Sequence, residues 1–343
     1  MATVATVAMA SKQHQHTPIP PAYQVPVLQL PRNEAAQLSD AEFGFNLRAK
    51  LAELKINGCV ILPQVIDPAV VKAMRGAYHV LLENVQARDP GPQIKPGPET
   101  GDPKTGRGRY VGPNRFTVTI PWVLPFAVPE VYENPKVLAF MEAYWGTDDF
   151  RITNYHSNCP MPGSEPQPWH RDTRAVSDIP GVVLPNCFGL GLKFALVNTC
   201  ESNAVEVLPA THNLADPSLE GQYNELMTQE DGVTTHEAFA TRRLHMNVGD
   251  CWLQDLRVLH RGTANTSGAP RPELVLNYTR NYWSVPANQI SGLGSPGDPN
   301  YIPATLTRGD LEALFLSERG WKLLGHAAPS TPGGHGYGVV PRL

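Results

Sequence analysis

The sequence predicts a mainly β domain, a sandwich or barrel with helices packed against it. Short apolar or alternating segments recur along the chain and are separated by turn-forming residues, which favours a sandwich or barrel over a parallel sheet. Helical periodicity is strongest ahead of these segments. The strand-like segments are Arg151–Ser157, Leu190–Val197 (which carries Lys193), Val205–Leu208, Cys251–Leu256 and Leu274–Tyr278.

Three amphipathic helices are predicted ahead of most of the strands, each with an apolar stripe on one side. The first begins at the capping box Ser39–Glu42 and is expected to continue to Gly58. The second begins at Asp67, and the third begins at Asn134, each followed by a proline at the first helical position. We expect these helices to buttress one sheet of the β domain.

The chain is long enough for one large domain with additions at both ends. Residues 1–38 are predicted to form a mobile tail, because their prolines oppose regular structure. Residues 39–343 are predicted to form a single domain, with its core at about 39–283 and a Gly/Pro-rich C-terminal extension at 284–343. Within the extension, a short helix is expected at about 309–319.

Two long segments between the predicted elements are candidates for substrate-contacting loops. Residues 89–115 are rich in proline and glycine and carry several cations, so we expect a lid or binding loop in which Arg107, Arg109 and Arg115 contact substrate. The alternative is a solvated surface loop. Residues 214–243 form the second segment.

Composition narrows the class of protein. The formal net charge of −4 implies no extended nucleic-acid surface, and no apolar run approaches the ~20 residues of a membrane-spanning helix. The five scattered cysteines argue against a disulfide scaffold and fit a reducing compartment. We therefore expect a cytoplasmic enzyme with a small-molecule substrate. The terminal Pro341–Leu343 leaves peroxisomal targeting as an alternative, and a homodimer stays open.

The triplet His170-Arg171-Asp172, together with the distant His260, is the strongest chemical signal. Residues two apart on a strand point to the same side, so His170 and Asp172 can reach one metal. Two imidazoles and one carboxylate suit a divalent iron that keeps coordination positions open for substrate and oxygen. Alone, the triplet is also compatible with chance.

Arg271 is a candidate anchor for a dicarboxylate bound at that metal. Its planar fork can bind a carboxylate through two hydrogen bonds and stays charged. The turn-forming residues Asn265–Pro270 are expected to fold Arg271 back onto a strand beside His260. The alternative is a surface arginine that closes a hairpin.

Other polar residues near the triplet are weaker candidates. Strand alternation places Asn154, His156 and Asn158 on one face, where they contact substrate or the metal ligands if that face lines the barrel. If it does not, they are hydrogen-bonded structural residues. His212 is expected to brace a turn, and Asp255 to orient the site from the strand that carries His260.

Taken together, these blocks resemble the phytanoyl-CoA dioxygenase family of Fe(II)/2-oxoglutarate-dependent oxygenases. The resemblance extends over roughly Ser39–Trp283 and depends on the order of the blocks. These are Asn57–Pro63, Gln167–Asp172, Glu201–His212 and Val248–Asp250 followed by His260 and Arg271. It implies a double-stranded β-helix core of the jelly-roll or cupin-like type, with Fe(II), 2-oxoglutarate and O2 as cofactor and cosubstrates.

The resemblance also implies residue roles. His170, Asp172 and His260 would hold the iron, Arg271 would bind the distal carboxylate of 2-oxoglutarate, and Gln167 would lie near the cosubstrate or the iron. Val205 departs from the pattern, because some relatives carry a threonine there that hydrogen-bonds the cosubstrate. An aspartate at position 172 favours oxygenation over halogenation, because a halogenating relative has a small residue there.

The expected reaction is oxidation, most simply hydroxylation, of an unactivated C–H bond of a specialised metabolite, with release of succinate and CO2. One alternative is acyl-CoA 2-hydroxylation of the phytanoyl-CoA type. Alternatives of other classes are a zinc-dependent hydrolase that uses the same ligands and a non-catalytic small-molecule-binding barrel. Arg271 argues against the hydrolase, which has no need of a dicarboxylate anchor.

Overall fold

The computed structural model describes part of the chain, and some of the segments predicted from the sequence lie outside that part. The described residues are 39–88, 107–173, 187–214, 240–283, 290–291, 303–304, 308–314 and 316–325. The predicted N-terminal tail, most of the 89–115 and 214–243 segments and the C-terminal tripeptide lie outside these ranges.

Seven α-helices occur among the described residues. Five precede or flank the first strands of the large sheet, and two belong to the C-terminal extension. Their bounds are α1 Asp40–Phe43, α2 Leu47–Asn57, α3 Pro68–Arg88, α4 Pro129–Tyr132, α5 Pro135–Trp145, α6 Arg308–Ala313 and α7 Glu318–Leu324.

The strands are more numerous than the helices. In chain order they are β1 Cys59–Leu62, β2 Arg107–Gly112, β3 Arg115–Thr119, β4 Phe150–Pro160, β5 Gly189–Ala195, β6 Val205–Val207, β7 Arg242–Arg243, β8 Cys251–Asp255, β9 His260–Gly262, β10 Glu273–Arg280, β11 Ile290–Ser291 and β12 Pro303–Ala304. All five predicted strand segments are confirmed, with small shifts at their ends.

These strands form two sheets of a jelly roll. The large sheet has the order β1-β8-β5-β10-β4, after which β11 and β12 continue one edge, and β3 joins β4 to β2. The small sheet has the order β7-β6-β9. Its pairings are antiparallel, as are those of the large sheet apart from β11 with β4. Apolar side chains of both sheets, including Val205, Val207 and Trp252, form one buried cluster between them.

The predicted helices cover the outer side of the large sheet. Their stripe residues are buried as expected in α3, where Val71, Met74 and Tyr78 are at most 2% exposed. The Tyr78 hydroxyl lies 2.7 Å from Ser157 Oγ on β4, and Tyr155 donates to the Phe126 carbonyl. The odd-numbered residues of this part of β4 therefore face the helices, and the even-numbered residues face the small sheet.

The prediction of one helix from Ser39 to Gly58 is wrong, because two helices occupy this stretch. The Ser39–Glu42 capping box is present, but Gly44 adopts a left-handed conformation and ends α1. Asn46 then caps α2 by accepting from the Ala49 amide at 2.8 Å. The expected C-terminal helix is likewise divided into α6 and α7, and Ser317 caps the second.

A bulge in β4 sets which residues face the interior. Opposite β10, Asn154 pairs with Asn277, but the next pair is Ile152 with Tyr278, so Thr153 is an extra residue. Ile152 is thereby turned to the apolar helix side, and Asn154 keeps its place on the interior side.

No helix among the described residues combines the length and the apolar character that crossing a bilayer requires.

Candidate metal centre

A short antiparallel bridge brings His170 to His260 at the edge of the small sheet. The amide of each residue donates to the carbonyl of the other at 3.0 Å. The two ring centroids are 4.4 Å apart. The backbone itself therefore sets the relative placement of the two imidazoles, although the residues are far apart in the chain.

Asp172 completes a group of three ligand atoms. Its Oδ1 lies 3.4 Å from His260 Nε2 and 4.0 Å from His170 Nε2. The three ligand atoms all lie within 4.8 Å of one another, so one ion can contact all three after small adjustments. Among the described residues, this is the group of histidine and acidic side chains with metal-binding geometry.

Backbone carbonyls orient both imidazoles toward the centre of this group. His170 Nδ1 donates to the Pro168 carbonyl at 2.8 Å, and His260 Nδ1 donates to the Val258 carbonyl at 3.1 Å. A proton on Nδ1 leaves the Nε2 lone pair free for a metal. Gln254 Nε2 lies 3.0 Å from His260 Nδ1, and the flipped amide orientation would place Gln254 Oε1 there as a second acceptor for the Nδ1 proton.

The charge states also suit a divalent cation. Burial and the neighbouring His260 ring lower the pKa of His170 to about 4. Burial alone would raise the pKa of Asp172, but Lys193 and His260 outweigh it and hold this pKa well below its usual range. Near neutral pH, the carboxylate is ionised and the His170 imidazole is neutral, which are the forms that bind metal.

Lys193 is a neighbour that the motifs did not identify. Its Nζ lies 2.8 Å from Asp172 Oδ2 and 3.5 Å from His260 Nε2. The ammonium also lies 4.8 Å from the centroid of the Trp252 ring. A single lysine in the apolar segment of β5 was a sequence signal, but its partner depends on how the two sheets face each other.

Arg271 is buried, as an internal anchor requires, but it does not lie on a strand beside His260 as expected. It precedes β10 of the large sheet, whereas His260 lies in β9 of the small sheet, so the predicted pairing of their strands is wrong. The turn is confirmed, and Asn265 holds it by donating to the Pro160 and Ala269 carbonyls at 2.9 Å. Arg271 Nη1 lies 3.1 Å from Glu273 Oε2.

Arg115 corrects the lid hypothesis. It begins β3 and is 2% exposed, so it is not part of an irregular surface loop. It donates to the Glu165 and Thr263 carbonyls, each at 3.0 Å. Burial and the nearby Arg271 guanidinium lower the pKa of Arg115 to about 10. The pairing of β3 with its neighbouring strands, which composition does not reveal, places the Arg115 side chain in the interior.

The two arginines carry more positive charge than the described acids around them neutralise. Glu273 pairs with Arg271 and also accepts from the Trp252 indole at 3.1 Å. Among the described residues, Arg115 Nη1 and Arg271 Nε have no hydrogen-bond partner, although both are buried. Buried donors of this kind favour an anionic ligand.

Arg107 and Arg109 lie in β2, which pairs with β3. The expected irregular loop therefore ends before them, and positions 89–106 lie outside the described residues. The structure describes the backbone of these two arginines but not their side chains.

The predicted polar residues of β4, Asn154, His156 and Asn158, lie on the interior face of the strand. His156 is 8% exposed, and burial lowers its pKa to about 4, within the electrostatic reach of Asp172 and Lys193. His156 Nδ1 makes a short hydrogen bond to Asn154 Oδ1. Asn158 pairs in register with Glu273 and Thr117.

Asn277 extends this polar face onto β10. Its Oδ1 is buried and has no hydrogen-bond partner among the described residues. A Cβ at Gly191 would lie 3.0 Å from that oxygen, so glycine leaves room beside it.

The remaining predicted residues have structural contacts. Gln167 Oε1 accepts from the Gly262 amide at 3.1 Å, beside Arg115. His212 Nε2 lies 3.2 Å from the Lys55 carbonyl and braces the end of α2, as expected. Asp255 lies on β8, not on the strand of His260, and it pairs with Arg257, so its predicted orienting role is wrong.

Among the solved structures that this chain resembles, one reaches a TM-score of 0.50 and supports the observed fold. AviO1 from Streptomyces viridochromogenes Tue57 is 16% identical, with a TM-score of 0.50 over 73% of this chain and 98% of that one. HygX from Streptomyces hygroscopicus, solved with nickel and 2-oxoglutarate, is 14% identical, with a TM-score of 0.47 over 69% and 88% of the two chains. SnoN, an epimerase solved with Fe3+, alpha ketoglutarate and nogalamycin RO, is 17% identical, with a TM-score of 0.46 over 76% and 96%.

A family model described as phytanoyl-CoA dioxygenase (PhyH) matches residues 54–272. The match covers more than half of the chain and includes the His170–Asp172 triplet, His260 and Arg271. The chain therefore belongs to the phytanoyl-CoA dioxygenase family, and it is an Fe(II)- and 2-oxoglutarate-dependent oxygenase that uses O2.

Proposed function

We propose that His170, Asp172 and His260 hold the iron and that the enzyme hydroxylates an unactivated C–H bond of a polar small molecule, a specialised metabolite. The observation that carries the metal assignment is the convergence of the three ligand atoms within 4.8 Å. The donor set fits the ion, because Pro168 and Val258 orient both Nε2 atoms and the Asp172 carboxylate is ionised.

Bound iron and 2-oxoglutarate supply the oxidising chemistry, which yields succinate and CO2. The protein supplies placement. We assign the distal carboxylate of the cosubstrate to Arg271, with Arg115 as a second cation beside it. The buried donors on both guanidiniums support this assignment, because an anion there would satisfy them. Gln167 contributes by holding Gly262, two residues after His260.

The interior polar face supports a polar substrate. Asn154, His156, Asn158 and Asn277 lie together on β4 and β10. Because His156 Nδ1 donates to Asn154, its Nε2 is an acceptor. An acyl chain would leave the buried Asn277 Oδ1, which has no hydrogen-bond partner among the described residues, unsatisfied at a cost of about 1–3 kcal/mol. A hydroxyl or amide donor of a substrate would satisfy that oxygen, which favours a specialised metabolite over a fatty-acyl thioester.

The test is oxygen-dependent turnover of purified enzyme with Fe(II) and 2-oxoglutarate. Polar metabolites and acyl-CoA esters are supplied in parallel, and succinate and product mass are measured together. We expect polar compounds to stimulate succinate release and to gain one oxygen atom. Preferential stimulation by acyl-CoA would overturn the substrate class, and a product that lost two hydrogens or was isomerised would overturn hydroxylation.

The ligand assignment has its own test. His170→Ala and His260→Ala should each remove Fe(II) binding, measured by calorimetry under anaerobic conditions, while the melting temperature changes little. Full iron binding by either variant would show that the ligand set is wrong.

A further inference from the structure

The two oxygens of the Asp172 carboxylate have different surroundings. Oδ1 lies 3.4 Å from His260 Nε2 and 4.0 Å from His170 Nε2, so it belongs to the group of ligand atoms. Oδ2 lies 2.8 Å from Lys193 Nζ, at charge-assisted hydrogen-bond distance. A carboxylate can bind a metal through one oxygen or both, and these contacts separate the oxygens.

Lys193 is held in place by its own surroundings. It lies in β5, between β8 and β10, and its side chain is 4% exposed. Its ammonium faces the Trp252 ring at 4.8 Å, and the Trp252 indole is fixed by its hydrogen bond to Glu273. A Cβ at Gly191 would lie 3.3 Å from Lys193 Cε, tighter than an ordinary contact, so a glycine there suits the lysine side chain.

Among the described residues, Asp172 is the acid that pairs with Lys193. A buried ammonium is costly without such a partner. This placement at the metal centre therefore calls for more than a packing role.

We propose that Lys193 is a positioning residue that holds Asp172 Oδ2 and so restricts this carboxylate to binding iron through Oδ1 alone. The inference rests on the proposed metal ligands. A second oxygen from the same carboxylate would occupy the coordination position that O2 needs once 2-oxoglutarate is bound. Lys193 thereby keeps that position accessible.

The test compares Lys193→Met, which keeps the length but removes the charge and the donor, with Lys193→Arg, which keeps both. Lys50→Met is the matched control, because Lys50 makes a 2.8 Å ion pair with Glu53 on α2, away from the metal centre. Circular dichroism and melting first establish that each variant is folded. Should Met prevent folding, Lys193→Gln, which is also neutral, carries the same expectation.

Two anaerobic measurements then separate the possible roles. Binding of 2-oxoglutarate to the Fe(II) enzyme is measured by calorimetry, and binding of nitric oxide, an O2 surrogate, by electron paramagnetic resonance. In Lys193→Met we expect nitric oxide affinity to fall by about tenfold, with 2-oxoglutarate affinity changed by less than about threefold. Lys193→Arg should recover part of the loss, and Lys50→Met should match the wild type.

Unchanged nitric oxide affinity in Lys193→Met would overturn the inference. Loss of 2-oxoglutarate binding with intact nitric oxide binding would also overturn it, because Lys193 would then anchor the cosubstrate. If the wild-type enzyme itself binds no Fe(II) at His170, Asp172 and His260, the proposed function fails, and that failure is distinguishable from a failure confined to the Lys193 variants.

Discussion

At the scale of single residues, the site depends on charges that are buried beside one another. Arg271 and Glu273 are 1% and 3% exposed, and Arg115 adds a second guanidinium at 2% exposure. The single carboxylate of Glu273 neutralises only one of the two guanidinium charges. A bound dicarboxylate would complete it, which links the affinity for 2-oxoglutarate to these side chains.

Arg271→Ala should weaken 2-oxoglutarate binding by roughly 2–5 kcal/mol, because a charge-assisted pair in a buried site is lost. Arg271→Lys should recover only part of the affinity, since an ammonium cannot reproduce the two-pronged contact. Calorimetry on the Fe(II) enzyme measures both. Arg280→Ala is the control, because Arg280 ends β10, the strand that follows Arg271, and donates to the Asp149 carbonyl. Wild-type affinity in both Arg271 variants would point to Arg115 as the main anchor.

The buried His156 gives the metal-free protein a pH-dependent stability. Its pKa is about 4 in the folded state, against an ordinary value of about 6.5. Between these values the unfolded chain binds a proton that the folded protein does not, so protonation favours unfolding. The contribution of His156 is therefore complete above pH 6.5, declines as the pH falls toward 4, and amounts to about 3 kcal/mol at most.

Urea unfolding of the chelator-treated protein between pH 7 and pH 4 measures this effect. His156→Gln should show a shallower loss of unfolding free energy with falling pH than the wild type. Identical slopes would show that His156 is not buried as a neutral ring.

At the scale of elements, the sequence predicted the features that depend on neighbouring residues, such as helix starts. The capping residues Ser39 and Asn134 begin helices as expected, and the ligand atoms of His170, Asp172 and His260 lie close together as the motif predicted. The contacts of Lys193 and Arg115 could not be predicted, because strand pairing and sheet packing between distant segments decide their partners. The β4 bulge at Thr153 is likewise set by pairing with β10.

Gly58 illustrates how an element end is tied to a distant turn. It has a φ of 73°, ends α2, and a Cβ there would lie 2.5 Å from His212 Nδ1. Gly58→Ala should lower the unfolding free energy by about 2–4 kcal/mol, since backbone strain and a steric conflict add together. Gly44→Ala has a similar φ of 77° with no atom within 4 Å, so it should cost only about 1–2 kcal/mol. Equal losses in urea unfolding would mean that the His212 contact is unimportant.

At the scale of the whole molecule, we propose that residues 39–343 form one domain that includes the C-terminal extension. Helix α7 contacts the core at several points. Arg319 donates to Glu142 of α5 at 3.0 Å, and its guanidinium lies 4.6 Å from the Phe150 ring at the start of β4. Leu323 and Leu324 belong to the same buried apolar cluster as the core of the large sheet.

Arg319→Ala should therefore destabilise the whole protein rather than only its end. The side chain is 19% exposed, and it combines an ion pair with a contact to an aromatic ring, so we expect a loss of about 1–2 kcal/mol in unfolding free energy. Arg308→Ala is the control, because Arg308 is 79% exposed and pairs with Glu312 one turn along α6, where such pairs contribute about 0.3–0.5 kcal/mol. The measurement is urea unfolding followed by tryptophan fluorescence and by circular dichroism. A single shifted transition in Arg319→Ala is expected if α7 folds with the core. Separate transitions, or equal effects of the two substitutions, would show that the extension is an independent unit.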